Sequence, residues 1–159
     1  ILVFLNPEMD PRGAGYNIIQ SEMAVGSGKM WGMGLFSGNQ TQLGYLPMKT
    51  TDFIFAVISE EMGFVISCLV VSLFVLLIAK SIYIGKTAKD DYGSFIAVGV
   101  AGMFLAHFLE NVGMNIGLMP ITGIPLPFIS YGGSAMLTNF VGLGLLLSVS
   151  GRRNKKMFE

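Results

Sequence analysis

Asp52 stands where a glycine-rich segment gives way to a long apolar run, in Lys49-Thr50-Thr51-Asp52-Phe53-Ile54-Phe55. A carboxylate at such a junction can cap a helix, taking a free backbone N–H and facing the positive end of the dipole. It can also act as a general base held at headgroup depth. Capping uses one oxygen, so the two readings are compatible. Glu60 follows eight residues later, about 12 Å along a helix axis and about 80° around it, with Glu61 on the face opposite Asp52. Acidic side chains this far down an apolar helix need protein or water around them. A salt bridge to a helix missing from this chain would supply that, and so would a polar cavity beneath Asp52. Farther on, His107, Asn111 and Asn115 recur every four residues with Glu110 on their flank, forming one polar stripe. The stripe suits hydrogen bonding between helices, and a proton relay through His107 and Glu110 is the chemical alternative. Ser130-Tyr131-Gly132-Gly133-Ser134 opens a helix after the uncharged stretch 119–130, whose three prolines cannot continue one. The paired glycines would let a phosphate reach exposed backbone N–H groups, or let helices approach closely.

These residues must be carried by membrane helices. Of 159 residues, 52% are hydrophobic and only 13% charged, and mean hydropathy is +0.64. Soluble domains carry about 25% charged residues, so this composition points to an all-α polytopic membrane protein. A span needs about 20 residues. The pattern predicts spanning helices at 52–82, 93–118 and 131–151, with 1–5 as the end of an earlier one. Loops then cover 6–51, 83–92 and the Pro-rich 119–130, and 152–159 is a tail. Residues 16–25 have a helical apolar pattern suited to lying along the interface. The uncharged stretch 30–36 suggests packing on the membrane surface. The chain begins with Ile and has no charged segment ahead of its first apolar turn, which reads as part of a longer protein.

Charge sets the orientation and excludes other classes. Lys80, Lys86 and Lys89 lie in one connection and Arg152, Arg153, Lys155 and Lys156 in the tail, against Arg12, Lys29 and Lys49 elsewhere. The positive-inside rule therefore puts 83–92 and the C-terminus in the cytoplasm and the long loop 6–51 outside. A formal net charge of zero argues against nucleic acid as a partner. The lone Cys68 permits neither an intrachain disulfide nor a thiolate-rich metal cage. Gly26-Ser27-Gly28 and Gly32-Met33-Gly34 follow no strand and precede no Lys-Ser/Thr, so they are not nucleotide loops.

Several stretches together resemble the SEDS family (shape, elongation, division and sporulation) of bacterial membrane glycosyltransferases. They are Gly13-Ala14-Gly15-Tyr16-Asn17-Ile18-Ile19-Gln20-Ser21, Gly26-Ser27-Gly28, Thr51-Asp52-Phe53-Ile54-Phe55, Glu60-Glu61-Met62-Gly63-Phe64 and the long run from Asn115 to Ser134. The resemblance covers nearly the whole chain and matches the C-terminal part of a fold of roughly ten helices, with the N-terminal helices absent. Gly38-Asn39-Gln40-Thr41-Gln42-Leu43 resembles the RodA, cell-elongation branch more than the FtsW, division branch. Where the family often has Glu and His ahead of its outer-loop Asp, this chain has Met48 and Thr50.

The resemblance implies polymerisation of lipid II into glycan strands at the outer face of the bacterial cytoplasmic membrane. Asp52 matches the family's essential outer-loop Asp, and would take the proton from the acceptor 4-hydroxyl as it attacks the donor anomeric carbon, with inversion. Gln20, Ser21, Lys29, Thr51, Glu60, Ser130, Gly132, Gly133 and Ser134 are the substrate-binding candidates, with no metal ligand among them. The pyrophosphate leaving group needs positive partners, and a divalent cation is the one candidate cofactor. The implied partners are a class B penicillin-binding protein, other elongation proteins and membrane lipid. The fragment alone is expected to be inactive. Two other readings stay open: a flippase of the same lipid-linked precursor built on broken helices, and a non-catalytic scaffold for the transpeptidase.

Overall fold

The computed structural model describes residues 13–46, 48 and 50–152. The expected helix end at 1–5 lies outside the described residues, as do Arg12, Lys49, Arg153, Lys155 and Lys156. Among the described residues there are five helices and no strand: α1 (Ala14–Ser27), α2 (Asn39–Gln42), α3 (Ile54–Lys86), α4 (Asp91–Asn115) and α5 (Gly133–Gly151). The protein is an all-α membrane protein. Helices α3, α4 and α5 are each long and apolar enough to cross a bilayer. Their exposed side chains include Leu69, Leu73, Leu76, Val98 and Leu137, a surface suited to lipid.

Local hydrogen bonding sets the helix ends, which differ from the apolar pattern by a few residues. Helix α3 begins at 54 rather than 52 and continues to Lys86, closing on Thr87, whose N–H and hydroxyl both return to the Tyr83 carbonyl. Helix α4 stops at Asn115, short of the expected 118. Gly117 takes φ +70 there, and the N–H groups of Leu118 and Met119 fold back onto the Gly113 carbonyl at 2.8 and 3.2 Å.

Two apolar clusters hold the helices together. Phe74, Ile78, Ala97, Phe104, Phe108 and Leu146 join α3, α4 and α5, with the rings of Phe74 and Phe108 stacked at 5.1 Å. Leu126 reaches this core from the Pro-rich loop, and Phe128 lies between Phe104 and Phe140. The loop therefore folds into the protein, as its apolar character requires. The second cluster packs Ala24 and Leu46 of the long segment before α3 against Phe53 and Ala56 at the start of that helix. Helix α1 packs on α3 and α4, and its buried Ile18, Ser21 and Ala24 recur every three residues. The amphipathic pattern at 16–25 thus serves a tertiary contact.

The expected uninterrupted helix at 52–82 is instead broken. Gly63 takes φ 81 and ψ −178 inside α3, and residues 29–34 insert their backbone at that point. Met33 and Gly34 donate to the Glu60 and Glu61 carbonyls at 2.9 and 3.0 Å, while Phe64 and Val65 donate to Lys29 and Met30 at 2.9 and 3.3 Å. A broken helix at membrane depth is tolerated only when the freed groups find protein partners. Here the outer segment supplies them. A Cβ on Gly63 would lie 2.3 Å from the Gly32 nitrogen, and one on Gly32, at φ +80, would lie 2.2 Å from the Glu61 carbonyl oxygen. Only glycine on both sides permits that approach. The stretch 30–36, expected on the membrane surface, is thus partly drawn into the helix break, while Trp31, Leu35 and Phe36 stay exposed.

Candidate functional site

Asp52 sits one residue ahead of the Phe53 cap of α3, at the end of a tight turn in which Thr51, Asp52 and Phe53 all donate N–H bonds to the Met48 carbonyl. No side chain caps α3, so Asp52 does not perform the capping role its position suggested. No described residue hydrogen-bonds its carboxylate, and the side chain is half-buried. Its Oδ2 would lie 3.4 Å from a Cβ on Gly123, so the acid faces the Pro-rich loop across a narrow slot.

The backbone around this carboxylate is held from several sides. Ser130 Oγ donates to the Thr51 carbonyl at 2.6 Å and accepts the Leu126 N–H at 2.8 Å. The Tyr131 N–H donates to the Thr50 carbonyl at 2.9 Å. Asn111 Nδ2 donates to the carbonyls of Asp52 and Ile124, both at 2.9 Å. Asn115 Nδ2 donates to the Asp52 carbonyl at 3.2 Å, and its Oδ1 accepts the Ala56 N–H at 3.2 Å. The polar stripe of α4 therefore serves both the first turn of α3, through Ala56, and the backbone of the loops beside it. His107 and Glu110, proposed as a relay on the same stripe, share no hydrogen bond among the described residues; His107 Nδ1 is buried without a partner there.

Glu60 is completely buried. Its Oε1 accepts the Gln40 N–H at 2.8 Å, and its Oε2 accepts the Thr41 N–H at 3.0 Å and the Thr41 hydroxyl. The carboxylate thus binds the first turn of α2, where the exposed N–H groups favour an anion. A Cβ on Gly38 would lie 2.7 Å from this carboxylate, which explains the glycine before α2. Among the described residues Glu60 has no salt bridge, and its oxygens bond α2 rather than line a polar cavity beneath Asp52. Ser59 and Ser67 span the helix break, their hydroxyls 2.9 Å apart and each within hydrogen-bond distance of the carbonyl four residues back, so the two O–H groups share three acceptor positions.

The other expected contact residues divide by what their polar atoms do. Ser21 is buried and donates to the Ile18 carbonyl, and Ser130 and Glu60 are committed as described, so all three hold protein to protein. Thr51 Oγ1 donates to the Met48 carbonyl at 3.3 Å. Gln20 is half-buried and Lys29 exposed. Gly132 is extended at φ 171 and caps α5, and Gly133 and Ser134 are exposed in its first turn. The Tyr131 bond to Thr50 brings this helix start beside the Asp52 turn. Sequence reasoning missed Gly123, hidden in a run read only as Pro-rich. It also missed that Asn111 and Asn115 reach Asp52, although their four-residue spacing marked them.

A cavity of about 620 Å³ lies between the end of α1, α3 and α4, lined by Val25, Lys29, Phe55, Ser59, Ser67 and Val112 among others. It is almost wholly apolar apart from Lys29 and the two serines, and Asp52 does not line it. Among the described residues no three His, Cys, Asp or Glu side chains are grouped to hold a metal ion.

Comparison with known proteins places this arrangement. The family of FtsW, RodA and SpoVE, described as cell cycle proteins, matches residues 1–155. The chain is 50% identical over 153 residues to peptidoglycan glycosyltransferase RodA of Treponema pallidum (strain Nichols), covering 96% of this chain and 35% of that protein. It is 48% identical over 150 residues to stage V sporulation protein E of Bacillus subtilis (strain 168), covering 94% of this chain and 41% of that one. A chain from a solved peptidoglycan synthase complex that coordinates polymerization and crosslinking superposes with TM-score 0.79 and 30% identity, over 98% of this chain and 41% of that one. A crystal structure of a Thermus thermophilus RodA variant superposes with TM-score 0.64 and 33% identity, over 77% and 38%. The chain thus spans well under half the length of these relatives. A broken membrane helix, a Pro-rich loop folded partly into the protein and a carboxylate beside both sit in a chain matched almost end to end, and the protein belongs to the FtsW/RodA/SpoVE family of cell cycle proteins.

Proposed function

We propose that this chain is the C-terminal membrane part of a peptidoglycan glycosyltransferase that polymerises lipid II, with Asp52 as the general base on the acceptor 4-hydroxyl. The observation that carries the reading is the Asp52 carboxylate: its backbone is held at the Thr50, Thr51 and Asp52 carbonyls, and no described residue bonds its oxygens. A base must be fixed in place yet free to accept a proton. The names of the relatives support the reaction. The match to RodA of Treponema pallidum and the stretch 38–43 favour the elongation branch.

In this reading the long loop faces outward and the C-terminus faces the cytoplasm, by the distribution of Lys and Arg. Lys29, exposed at the cavity rim, and the open first turn of α5 beside the Asp52 turn are the candidates for the pyrophosphate. Any divalent cation would be held largely by the substrate's own phosphates. A class B penicillin-binding protein is the transpeptidase partner, alongside other elongation proteins and membrane lipid. The test is lipid II polymerisation by the full-length protein with that partner. Asp52→Asn should lower the rate by about 10²–10⁴-fold, the contribution of a general base, with membrane insertion unchanged. Retained polymerisation would remove Asp52 from the chemistry.

The break in α3 at Gly63 also suits a transporter of the same lipid-linked precursor, since such proteins build their sites on interrupted helices. That reading requires purified protein to move labelled lipid II across vesicles without making polymer, and His107→Ala to be more harmful than Asp52→Asn.

A further inference from the structure

We infer that Asn111 and Asn115 are positioning residues for Asp52, replacing the first rung of helix α3 with side-chain amides from α4. In a regular helix the Ala56 N–H would bond the Asp52 carbonyl four residues back. Here the Asn115 carboxamide lies between the two groups: Oδ1 accepts the Ala56 N–H at 3.2 Å, and Nδ2 donates to the Asp52 carbonyl at 3.2 Å. Asn111 Nδ2 donates to that same carbonyl at 2.9 Å. The Asp52 peptide is therefore fixed by α4, from residues 59 and 63 positions away, and not by its own helix.

Asn111 also fixes the opposite wall of the slot. The second N–H of Asn111 Nδ2 reaches the Ile124 carbonyl at 2.9 Å, next to Gly123, where a Cβ would lie 3.4 Å from Asp52 Oδ2. Asn115 Nδ2 also bonds the Asn111 carbonyl at 2.8 Å, tying the pair to one α4 turn. Both asparagines are completely buried. A contact serving only helix packing would join α4 to side chains of another helix. Asn111 instead holds the backbone of the acid and of the loop it faces, and Asn115 couples the Asp52 carbonyl to the Ala56 N–H of α3, so slot width depends on Asn111 and carboxylate direction on both. A shift of about 1 Å in a catalytic group can cost about 100-fold in rate.

The inference rests on Asp52 being the base, and one set of measurements separates the two claims. Asn111→Ala, Asn115→Ala and Asp52→Asn are each made in the full-length protein with its transpeptidase partner, and kcat and KM for lipid II are measured per folded molecule. Yield and thermal melting are read alongside. The expected result is a fall in kcat of tenfold or more for each asparagine variant, with KM within about twofold of the parent protein. Unchanged kcat in both asparagine variants overturns the positioning role, as does a loss of activity fully accounted for by loss of folded protein. If Asp52→Asn retains polymerisation, the base assignment itself has failed. If Asp52→Asn is inactive while both asparagine variants are active, only the present inference has failed.

Discussion

Gly32 and Gly63, thirty-one residues apart in sequence, meet backbone to backbone: a Cβ on Gly63 would lie 2.3 Å from the Gly32 nitrogen. This contact lets the outer segment enter the broken helix and satisfy the Glu60, Glu61, Phe64 and Val65 backbone groups. Each buried backbone group left without a partner would cost about 1–3 kcal/mol.

Gly63→Ala should therefore destabilise the protein by several kcal/mol, from a residue with φ 81 that is also forced against the Gly32 backbone. Thermal melting in detergent checks this, and a melting temperature equal to that of the parent protein would show that the break can accept a side chain.

Glu60→Gln leaves one acceptor oxygen where the carboxylate now takes N–H bonds from Gln40 and Thr41 and the Thr41 hydroxyl. The amide NH₂ must face donors, at a cost of about 1–3 kcal/mol. Hydrogen exchange across 38–43 should quicken about tenfold, while exchange in the membrane half of α3 stays as it was.

Asp52→Glu keeps the charge but adds a methylene toward a slot in which Gly123 already lies close. Polymerisation should drop by about tenfold or more through misplacement of the base. Activity at the parent level would mean the slot is wider in the working enzyme.

Gly123→Ala tests the other wall. Its φ of +72 disfavours any side chain, by about 1–2 kcal/mol, and the new Cβ would come into van der Waals contact with Asp52 Oδ2 at 3.4 Å. Turnover should fall severalfold with little change in the amount of inserted protein, both read from the same membranes.

Hydropathy alone made the three spans legible, because runs such as 62–79 contain no charge and hydrocarbon tolerates little else. The spacing of His107, Asn111 and Asn115 likewise exposed a polar stripe, and its expected bond to another helix is made by Asn115, while its bonds to loop backbone went unforeseen. Periodicity shows which residues share a face, but not that the face will meet a folded-back loop. The break at Gly63 could not be read from its own neighbourhood, since the groups that permit it belong to 29–34. Glu60 was misread for the same reason: its partners in α2 lie about twenty residues upstream, and pairing at that distance is a property of the fold. Asp52 was found because its location at a polar–apolar boundary is a local fact. Its freedom from capping was not, because the helix starts two residues later, with Phe53 in the cap position.

The interleaving of 29–34 with 60–65 also orders biogenesis. Residues 29–34 are synthesised before the acceptor groups at 60–65 exist. Until Gly63 arrives, that segment's amides have only water or headgroups to bond, and the two halves of the later helix have no reason to part. Integration of this span and closure of the loop are therefore a joint event, and a nascent chain halted just short of residue 65 should hold neither.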